Sequence, residues 1–294
     1  AVLIGFGGVA LLGAFTLHLA FLVDGFLLSF IEAGERGGEV VGLAVGELEL
    51  VEPDLALMKA KKLDLGLSCD GDADRFGIMD AGVVWISAND VLALTLYHLV
   101  ENRGMSGAVA RSIMTSHFVD AVAKAHGLRV RETPVGFKYI GDLLRGGGFL
   151  LGGEESGGLS IAGHVPEKDG ILACLLMLEL IAFERKPLAK IREQLFKKYG
   201  EFHNVRLNFH LDGPTLSRDL SDRLKVKPPT ILAGSSVWRI DESDGFKFVL
   251  KDGRWLGMRF SGTEPVVRLY AEAGDAKSLA VLVDEGKKII AGKK

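Results

Sequence analysis

Three aspartates at alternating positions are the residues of this sequence best suited to chemistry. Asp70, Asp72 and Asp74 follow a short apolar segment and precede Arg75. Carboxylates at positions i, i+2 and i+4 of a loop can converge on one hard cation. Mg²⁺ suits such a set, because it accepts a few protein oxygens and keeps its other positions for water or phosphate. This acidic loop, 70–75, therefore predicts a magnesium site.

Other interpretations of the acidic loop explain the sequence less well. A calcium EF-hand loop would carry Gly at its sixth position and Glu at its twelfth, where this chain has Arg75 and Ala81. A phosphatase whose strand-end aspartate attacks the substrate needs an Asp-x-Asp pair, but neither a third aspartate nor an arginine. A solvated acidic turn would leave Arg75 and the preceding buried strand unexplained. A metal site is the preferred interpretation.

A glycine-rich segment, 152–158, places a carboxylate and a hydroxyl two residues apart, at Glu154 and Ser156. A carboxylate accepts hydrogen bonds from vicinal hydroxyls, and glycines let the backbone approach a ligand closely. The segment indicates a site that binds hydroxyl groups, although an ordinary glycine-rich turn is an equal alternative. Six residues further on, more polar groups, among them His164 and Lys168, precede a helix.

A second polar turn begins at Arg259 and brings a guanidinium, two hydroxyls and a glycine together. Arg259, Ser261 and Thr263 can converge on a phosphate group, and the backbone amides around Gly262 can add a nest. Arg268 is close enough in sequence to join them. An ordinary Ser-Gly turn between strands is the alternative. Together, the metal, hydroxyl and phosphate loops indicate a phosphorylated sugar as substrate.

Composition limits the function classes that remain. A chain of 294 residues is long enough for two or three domains. The net charge is only −3, and no segment clusters Lys and Arg with aromatic residues, so nucleic acid is not the expected partner. Cys69 and Cys174 lie far apart inside apolar runs. We expect them to be buried, reduced thiols, as in a cytoplasmic protein.

Residues 1–23 carry no formally charged side chain and by length alone could span a membrane. The segment contains four glycines and His18, and no Lys or Arg flanks it before Arg36. A secretory signal would need a basic start, which this sequence does not have. We therefore expect a buried strand followed by a buried helix here, and no membrane partner.

The remaining elements predict two kinds of domain. A strand at 63–69 and a hairpin at 76–86 precede a helix capped by Asn89 or Asp90. Strands and helices then alternate to residue 199, which is typical of an α/β domain with a mostly parallel sheet. From residue 200 onward, several alternating segments and one final helix predict a separate α+β domain.

Four segments resemble the α-D-phosphohexomutase family, specifically its phosphoglucomutase/phosphomannomutase branch. The acidic loop resembles the metal loop of that family, and 134–140 its lysine-bearing segment. Residues 153–158 are similar to its sugar-binding loop, and 261–265 to its phosphate-binding loop. The four occur in the family's order, and the similarity extends from about Glu52 to the end of the chain.

The resemblance implies an enzyme of four domains that converts a hexose 1-phosphate to the 6-phosphate. A phosphoserine gives its phosphoryl group to the sugar, and the bisphosphorylated intermediate turns over before it returns the other phosphate. Mg²⁺ is the implied cofactor, held by Asp70, Asp72 and Asp74. The remaining implied site residues are Arg75, Lys138 and Lys168 for catalysis; Glu154, Ser156 and His164 for the sugar; and Arg259, Ser261, Gly262, Thr263 and Arg268 for the phosphate.

The serine segment of the family, of the type Ser-His-Asn-Pro, does not occur in these 294 residues. Ser116 and His117 are followed by Phe118 and lie after the metal loop, so we interpret this pair as structural. We expect residues 1–87 to be a remnant of the N-terminal domains, followed by a sugar-binding domain at 88–199 and a phosphate-binding domain at 200–294. A polypeptide of these residues alone should then lack mutase activity, because no nucleophile remains.

Two alternative functions remain open. A phosphoglucosamine mutase is a close rival, although its sugar loop usually has Gln where Glu155 stands. A non-catalytic protein that binds sugar phosphates is the alternative from another class. The sequence does not separate glucose from mannose, since both present hydroxyls to Glu154 and Ser156, and it does not indicate an oligomeric state.

Overall fold

A computed structural model of the chain describes residues 63–211, 214–260 and 266–292, with the backbone alone at 214–217. The described part begins with an antiparallel sheet in the order β1-β2-β3: β1 (Leu65–Cys69), β2 (Phe76–Asp80) and β3 (Val84–Ile86). The predicted hairpin between β2 and β3 is confirmed. The acidic loop connects β1 to β2, and its ends are fixed because Cys69 pairs with Phe76.

An α/β layer follows, with a sheet in the order β5-β4-β6-β7. Strand β4 is parallel to β5 and to β6, whereas β7 is antiparallel to β6. The strands are β4 (Ala108–Ser112), β5 (Val130–Thr133), β6 (Phe149–Gly153) and β7 (Leu159–Ile161). The helices are α1 (Ala88–Tyr97), extended by a π-helical turn (His98–Asn102), α2 (Phe118–Ala125), α3 (Phe137–Arg145), α4 (Gly170–Glu184) and α5 (Leu188–Tyr199).

The C-terminal part is an antiparallel sheet in the order β8-β13-β12-β11-β10-β9, so β9 to β13 form a meander and β8 lies at the other edge. Its strands are β8 (His203–His210), β9 (Ile231–Leu232), β10 (Ser235–Asp241), β11 (Phe246–Leu250), β12 (Trp255–Phe260) and β13 (Val266–Ala273). Its helices are α6 (Pro214–Val226) and α7 (Ala276–Ile290). The α/β layer followed by an α+β part confirms the predicted fold class.

Each part has its own apolar core. The larger core joins the first sheet to the α/β layer, and the smaller one lies between the C-terminal sheet and its helices. A polar contact joins the two parts: Glu272 on β13 accepts a hydrogen bond from the backbone N–H of His117 (3.0 Å). The same side chain accepts another from the indole nitrogen of Trp255 on the neighbouring strand β12 (2.8 Å). The two predicted structural residues, Ser116 and His117, therefore lie at a junction between the parts.

The predicted cap of α1 was wrong. Ser87, not Asn89 or Asp90, is the cap, since its side chain accepts a hydrogen bond from the backbone of Asp90 (3.1 Å). Asn89 instead accepts a hydrogen bond from the backbone of Ser116 (3.0 Å) and donates one to Asn204 of the C-terminal sheet (2.9 Å). The side-chain amide of asparagine has both a donor and an acceptor, so Asn89 can bind both parts of the molecule at once.

Cys69 and Cys174 are free and buried, as predicted. Within the described ranges, no helix is long and apolar enough to cross a membrane. The expectation for residues 1–23 lies outside the described residues.

Candidate active site

The acidic loop forms a compact reversal between β1 and β2. The backbone N–H of Arg75 donates to a carboxylate oxygen of Asp70 (3.0 Å), and the backbone N–H of Ala73 donates to the carbonyl of Asp70 (2.9 Å). Asp70 is buried, at 8% exposure, whereas Asp72 is exposed and Asp74 is half-buried. One carboxylate oxygen from each aspartate lies within 4.8 Å of the others. The predicted convergence of the three side chains is therefore present.

The electrostatics of the loop favour a cation. Burial raises the pKa of Asp70, the negative charges of Asp74 and Asp72 raise it further, and the hydrogen bond from the Arg75 N–H opposes them. A divalent cation would relieve this repulsion, and the donors are all hard oxygens of the kind that Mg²⁺ prefers. The residues present thus fit such an ion.

Two basic side chains neutralise part of this charge. The ammonium group of Lys168 contacts the Asp74 carboxylate directly, and the Nε of Arg75 lies 3.6 Å from the other oxygen of Asp74. Lys168 comes from the segment before α4, far along the chain from the acidic loop. The fold therefore brings together Arg75 and Lys168, which the resemblance implied for catalysis.

The start of α4 holds the acidic loop in place. The backbone N–H of Gly170 donates to the carbonyl of Ala73 (2.9 Å), and a side chain at residue 170 would collide with the carbonyl of Arg75. Asp169 caps the helix by accepting from the N–H of Leu172 (2.8 Å). The other oxygen of Asp169 contacts the Nε2 of His164 (2.7 Å), so His164 is tied to the cap of the helix that supports the loop.

Glu154 lies in the turn between β6 and β7 and is 4% exposed. Its carboxylate accepts a hydrogen bond from the backbone N–H of Gly136 (2.6 Å). Burial, and then the neighbouring charge of Glu155, raise the pKa of Glu154 to about 7, while Gly136, Lys168 and Arg75 oppose the rise. A carboxyl group with that pKa can both donate and accept a proton near neutral pH.

The other two side chains of this turn differ in their surroundings. Glu155 accepts hydrogen bonds from Ser112 at the end of β4 (2.5 Å) and from Thr115 on the loop that follows (3.5 Å). Ser156 is half-buried on the same turn. The sequence indicates no binding role for Glu155. Its hydrogen bonds to Ser112 and Thr115 attach the glycine-rich turn to the end of β4.

The sugar-binding candidate turn packs against the acidic loop. Gly157 adopts a positive φ of 95° and lies against the backbone of Phe76 and the side chain of Arg75, where an added Cβ would be 3.5 Å from the Arg75 Cβ. Gly158 lies against the aliphatic part of Lys168. The acidic loop, the glycine-rich turn and the segment before α4 therefore form one cluster.

Lys138 is placed differently from Lys168. It lies in the first turn of α3, is exposed, and its ammonium group lies over the ring of Tyr139, 4.8 Å from the ring centre. Among the described residues, no ion pair joins Lys138 to the acidic loop. The composition of this segment predicts a turn at 136–138 and does not indicate α3, because Gly136 directly precedes the helix and Gly141 lies inside it.

The two predicted phosphate-binding arginines lie opposite each other. Arg259 on β12 is paired in register with Arg268 on β13. The Nε of Arg259 donates to both carboxylate oxygens of Asp244 (3.2 and 3.1 Å), whereas the Nε of Arg268 is buried with no partner in the described part of the chain. Residues Ser261, Gly262 and Thr263 lie outside the described residues.

Sequence reasoning missed two groups in this region. Asp244 binds Arg259, and the Gly136 N–H binds Glu154, but both contacts join residues far apart in the chain. Asp244-Gly245 is a common turn pair, so its composition indicates a hairpin and gives no functional signal. The segment 134–140 indicates a functional residue only at Lys138, and no pattern in it points to a backbone N–H.

Comparison with known proteins decides the family. One model, phosphoglucomutase/phosphomannomutase alpha/beta/alpha domain III, matches residues 87–199, and the model of the C-terminal domain of the same family matches 208–288. The chain belongs to this α-D-phosphohexomutase family. The predicted recognition is thereby confirmed.

The relatives agree with this assignment. A phosphoglucomutase/phosphomannomutase of Thermococcus kodakarensis is 30% identical over 80% of this chain and 49% of its own length. A phosphoglucosamine mutase of Novosphingobium aromaticivorans is 29% identical over 85% of this chain and 52% of its own length. The structure of parafusin, a phosphoglucomutase of Paramecium, matches with a TM-score of 0.70 and 27% identity, covering 87% of this chain and 50% of that one. The chain spans about half the length of these relatives.

Proposed function

We propose that this chain supplies the metal, sugar and phosphate loops of a hexose phosphate mutase. The whole enzyme would interconvert the 1-phosphate and 6-phosphate of glucose or mannose through a phosphoserine and a bisphosphorylated sugar. Family membership supports the reaction class, and the relatives carry the corresponding names. The Ser-His-Asn-Pro segment that the resemblance implies for the phosphoserine does not occur in these 294 residues, so the proposal for this chain concerns the three loops.

The contact between the acidic loop and the glycine-rich turn is the observation that carries this proposal. Gly157 packs on Arg75, and Lys168 lies between Gly158 and Asp74. A group held by the aspartates and a sugar held at Glu154 would therefore be neighbours. Phosphoryl transfer depends mainly on such positioning and on the neutralisation of charge.

Each predicted residue has a proposed role. Asp70, Asp72 and Asp74 would hold Mg²⁺, which when bound neutralises negative charge on the phosphoryl group. Arg75 and Lys168 would stabilise the same charge, since both already lie beside Asp74. Lys138 keeps the acid/base or electrostatic role that the resemblance implies, which would require its ammonium group to leave the ring of Tyr139.

The substrate contacts complete the proposal. Glu154 and Ser156 would bind sugar hydroxyls, and the pKa of Glu154 near 7 suits a group that exchanges a proton with a hydroxyl. His164 would act beside them from the segment before α4. The non-reacting phosphate would bind the residues of the phosphate-binding turn: Arg259, Ser261, Gly262, Thr263 and Arg268.

Calorimetric titration tests the proposal without requiring turnover. The chain, in the presence of Mg²⁺, is titrated with glucose 1-phosphate and with glucose 6-phosphate, and we expect both to bind, because the proposed reaction presents the sugar in both orientations. Glu154→Gln should weaken the binding of both sugar phosphates by about tenfold, since the variant loses a charged hydrogen bond. Glu193→Gln, at an exposed residue of α5, should leave both affinities unchanged.

The same experiment separates the candidate substrates. The Novosphingobium relative is named a phosphoglucosamine mutase, so glucosamine 6-phosphate and mannose 6-phosphate are added as further titrants. Tighter binding of glucosamine 6-phosphate would favour that second candidate function. If none of the sugar phosphates binds, the proposed function is wrong.

A further inference from the structure

Asp244 joins the two parts of the molecule at the candidate site. It lies in the turn between β10 and β11 of the C-terminal sheet. One of its oxygens accepts a hydrogen bond from the backbone N–H of Val135 in the α/β layer (3.0 Å). Both of its oxygens accept from the Nε of Arg259 (3.2 and 3.1 Å). This carboxylate therefore binds a predicted phosphate arginine and a backbone turn of the other part.

The next peptide continues this connection to the sugar-binding candidate. The N–H of Gly136, directly after Val135, donates to the buried carboxylate of Glu154 (2.6 Å). Consecutive peptide groups share a Cα, so the position of one N–H constrains the next. A continuous path of contacts thus runs from Arg259 through Asp244 and the turn 135–136 to Glu154.

The charge at Asp244 suits an orienting role. Arg259 and Arg268 lie opposite each other, and like charges directly opposite on neighbouring strands repel. Asp244 engages Arg259 through its Nε, and within the described residues the terminal nitrogens of this guanidinium make no hydrogen bond, so they can point to a phosphate. The Asp244 and Arg259 side chains are each about a quarter exposed, at 24% and 25%, so a ligand can reach the pair.

We propose that Asp244 is a positioning residue that couples the phosphate end of the site to the sugar end. It orients Arg259 for the phosphate and, through Val135 and Gly136, fixes the carboxylate of Glu154. This inference rests on the proposed function, since it takes Arg259 and Glu154 as the two ends of a hexose phosphate site. Neither the family match nor the sequence motifs point to this residue.

A double-mutant cycle in binding tests the coupling. Glucose 6-phosphate and inorganic phosphate are titrated calorimetrically into the chain and its Asp244→Asn, Glu154→Gln and doubly substituted forms. Asp244→Asn should weaken the binding of glucose 6-phosphate by about tenfold, because a charged hydrogen bond is lost. The effect of Glu154→Gln should shrink at least threefold in the Asp244→Asn background. Asp252→Asn, at an arginine-paired carboxylate in the turn between β11 and β12, is the matched control and should bind normally.

A second readout tests positioning directly in the free protein. Hydrogen–deuterium exchange of the peptide that contains 135–136 should become faster in Asp244→Asn and stay unchanged in Asp252→Asn, with no change in β1 and β2. Normal affinity for glucose 6-phosphate together with unchanged exchange in Asp244→Asn would overturn the inference. Fully additive effects of the two substitutions on the binding free energy of glucose 6-phosphate would overturn it as well. If the unsubstituted chain binds no sugar phosphate, the proposed function fails, and the exchange result still decides whether Asp244 orders the turn.

Discussion

Glu132 and Glu154 are both largely buried, yet their surroundings move their pKa values in opposite directions. Burial opposes ionisation of Glu132, but Arg111 and Lys247 overcome it and lower the pKa to about 2. At Glu154, burial and the charge of Glu155 together raise the pKa to about 7. Glu132 lies at the junction of the two parts of the molecule, and Glu154 lies in the candidate site.

The difference follows from the partners that each region provides. Glu132 accepts hydrogen bonds from Arg111 (2.7 Å), Lys247 (3.2 Å) and Arg239 (3.2 Å). The Lys247 ammonium group is also bound by the carbonyl of Ile113 (2.6 Å) and lies over the ring of Trp255. Among the described residues, the carboxylate of Glu154 accepts a single hydrogen bond, from the backbone N–H of Gly136. The junction satisfies its buried charges internally, whereas the site leaves charges for a ligand to satisfy, which costs stability.

Removal of the charge on Glu132 should have the largest effect on stability. Glu132→Gln leaves Lys247 and part of Arg111 buried without a counter-charge, and breaking a buried ion pair costs about 3–5 kcal/mol. Urea unfolding followed by circular dichroism would measure this loss. Glu193→Gln is the control: its pKa is also lowered to about 2, by Lys197 and Lys190, but the group is fully exposed and solvent screens its charge. Equal stability of both variants would show that the junction does not depend on its ion pairs.

Above neutral pH, Glu154→Gln should raise the free energy of unfolding, whereas Glu132→Gln should lower it. The pKa of Glu154 is about 7 in the folded chain against an ordinary value of 4.5, so the folded state binds more protons between these values. Stability should therefore fall by about 3 kcal/mol as pH rises from about 4.5 to about 7, and then level off. Unfolding in urea across this range should show that the glutamine variant lacks this contribution. It should match the unsubstituted chain near pH 4.5 and be more stable at pH 8.

The charged groups around Glu154 are the same in the unsubstituted chain and in the glutamine variant. Glu155, Lys168 and Arg75 face the carboxylate, and they remain in the variant. The difference between the two pH profiles therefore reports Glu154 alone. Parallel profiles would mean that Glu154 is ionised at little cost, and the contrast with Glu132 would disappear.

The sequence predicted the candidate site better than the junction, for a physical reason. The acidic loop and the glycine-rich turn are local: the side chains that converge are two residues apart, and strands on either side fix the loop. The junction depends on pairs such as Lys247 with Glu132, which lie 115 positions apart. A lysine inside an apolar strand pattern gives no sign of its partner. Only the packing of β11 on the α/β layer brings the two together.

The errors in secondary structure have a similar origin. Asn89 has the composition of a helix cap, but the structure uses its amide between Ser116 and Asn204, and Ser87 caps the helix. Helix α3 was missed because its glycines indicate turns, although Gly141 lies against the carbonyl of Pro166, where a larger side chain would collide. In both cases a tertiary contact decides the residue type, and local propensity does not.

Mg²⁺ should produce a smaller gain in stability, confined to the site. A ligand that binds only the folded state at ten times its Kd stabilises that state by about 1.4 kcal/mol. We expect thermal unfolding of the chain to shift upward with Mg²⁺ and the shift to vanish in Asp72→Asn. Asp72 is exposed, so its substitution should leave the metal-free stability nearly unchanged. Glu132→Gln, although less stable, should keep the full response to Mg²⁺, because the junction supplies no ligand. If Mg²⁺ raises the unfolding temperature of Asp72→Asn as much as that of the unsubstituted chain, the acidic loop is not the metal site. Its carboxylates would then be explained, like that of Glu132, by ion pairs within the protein.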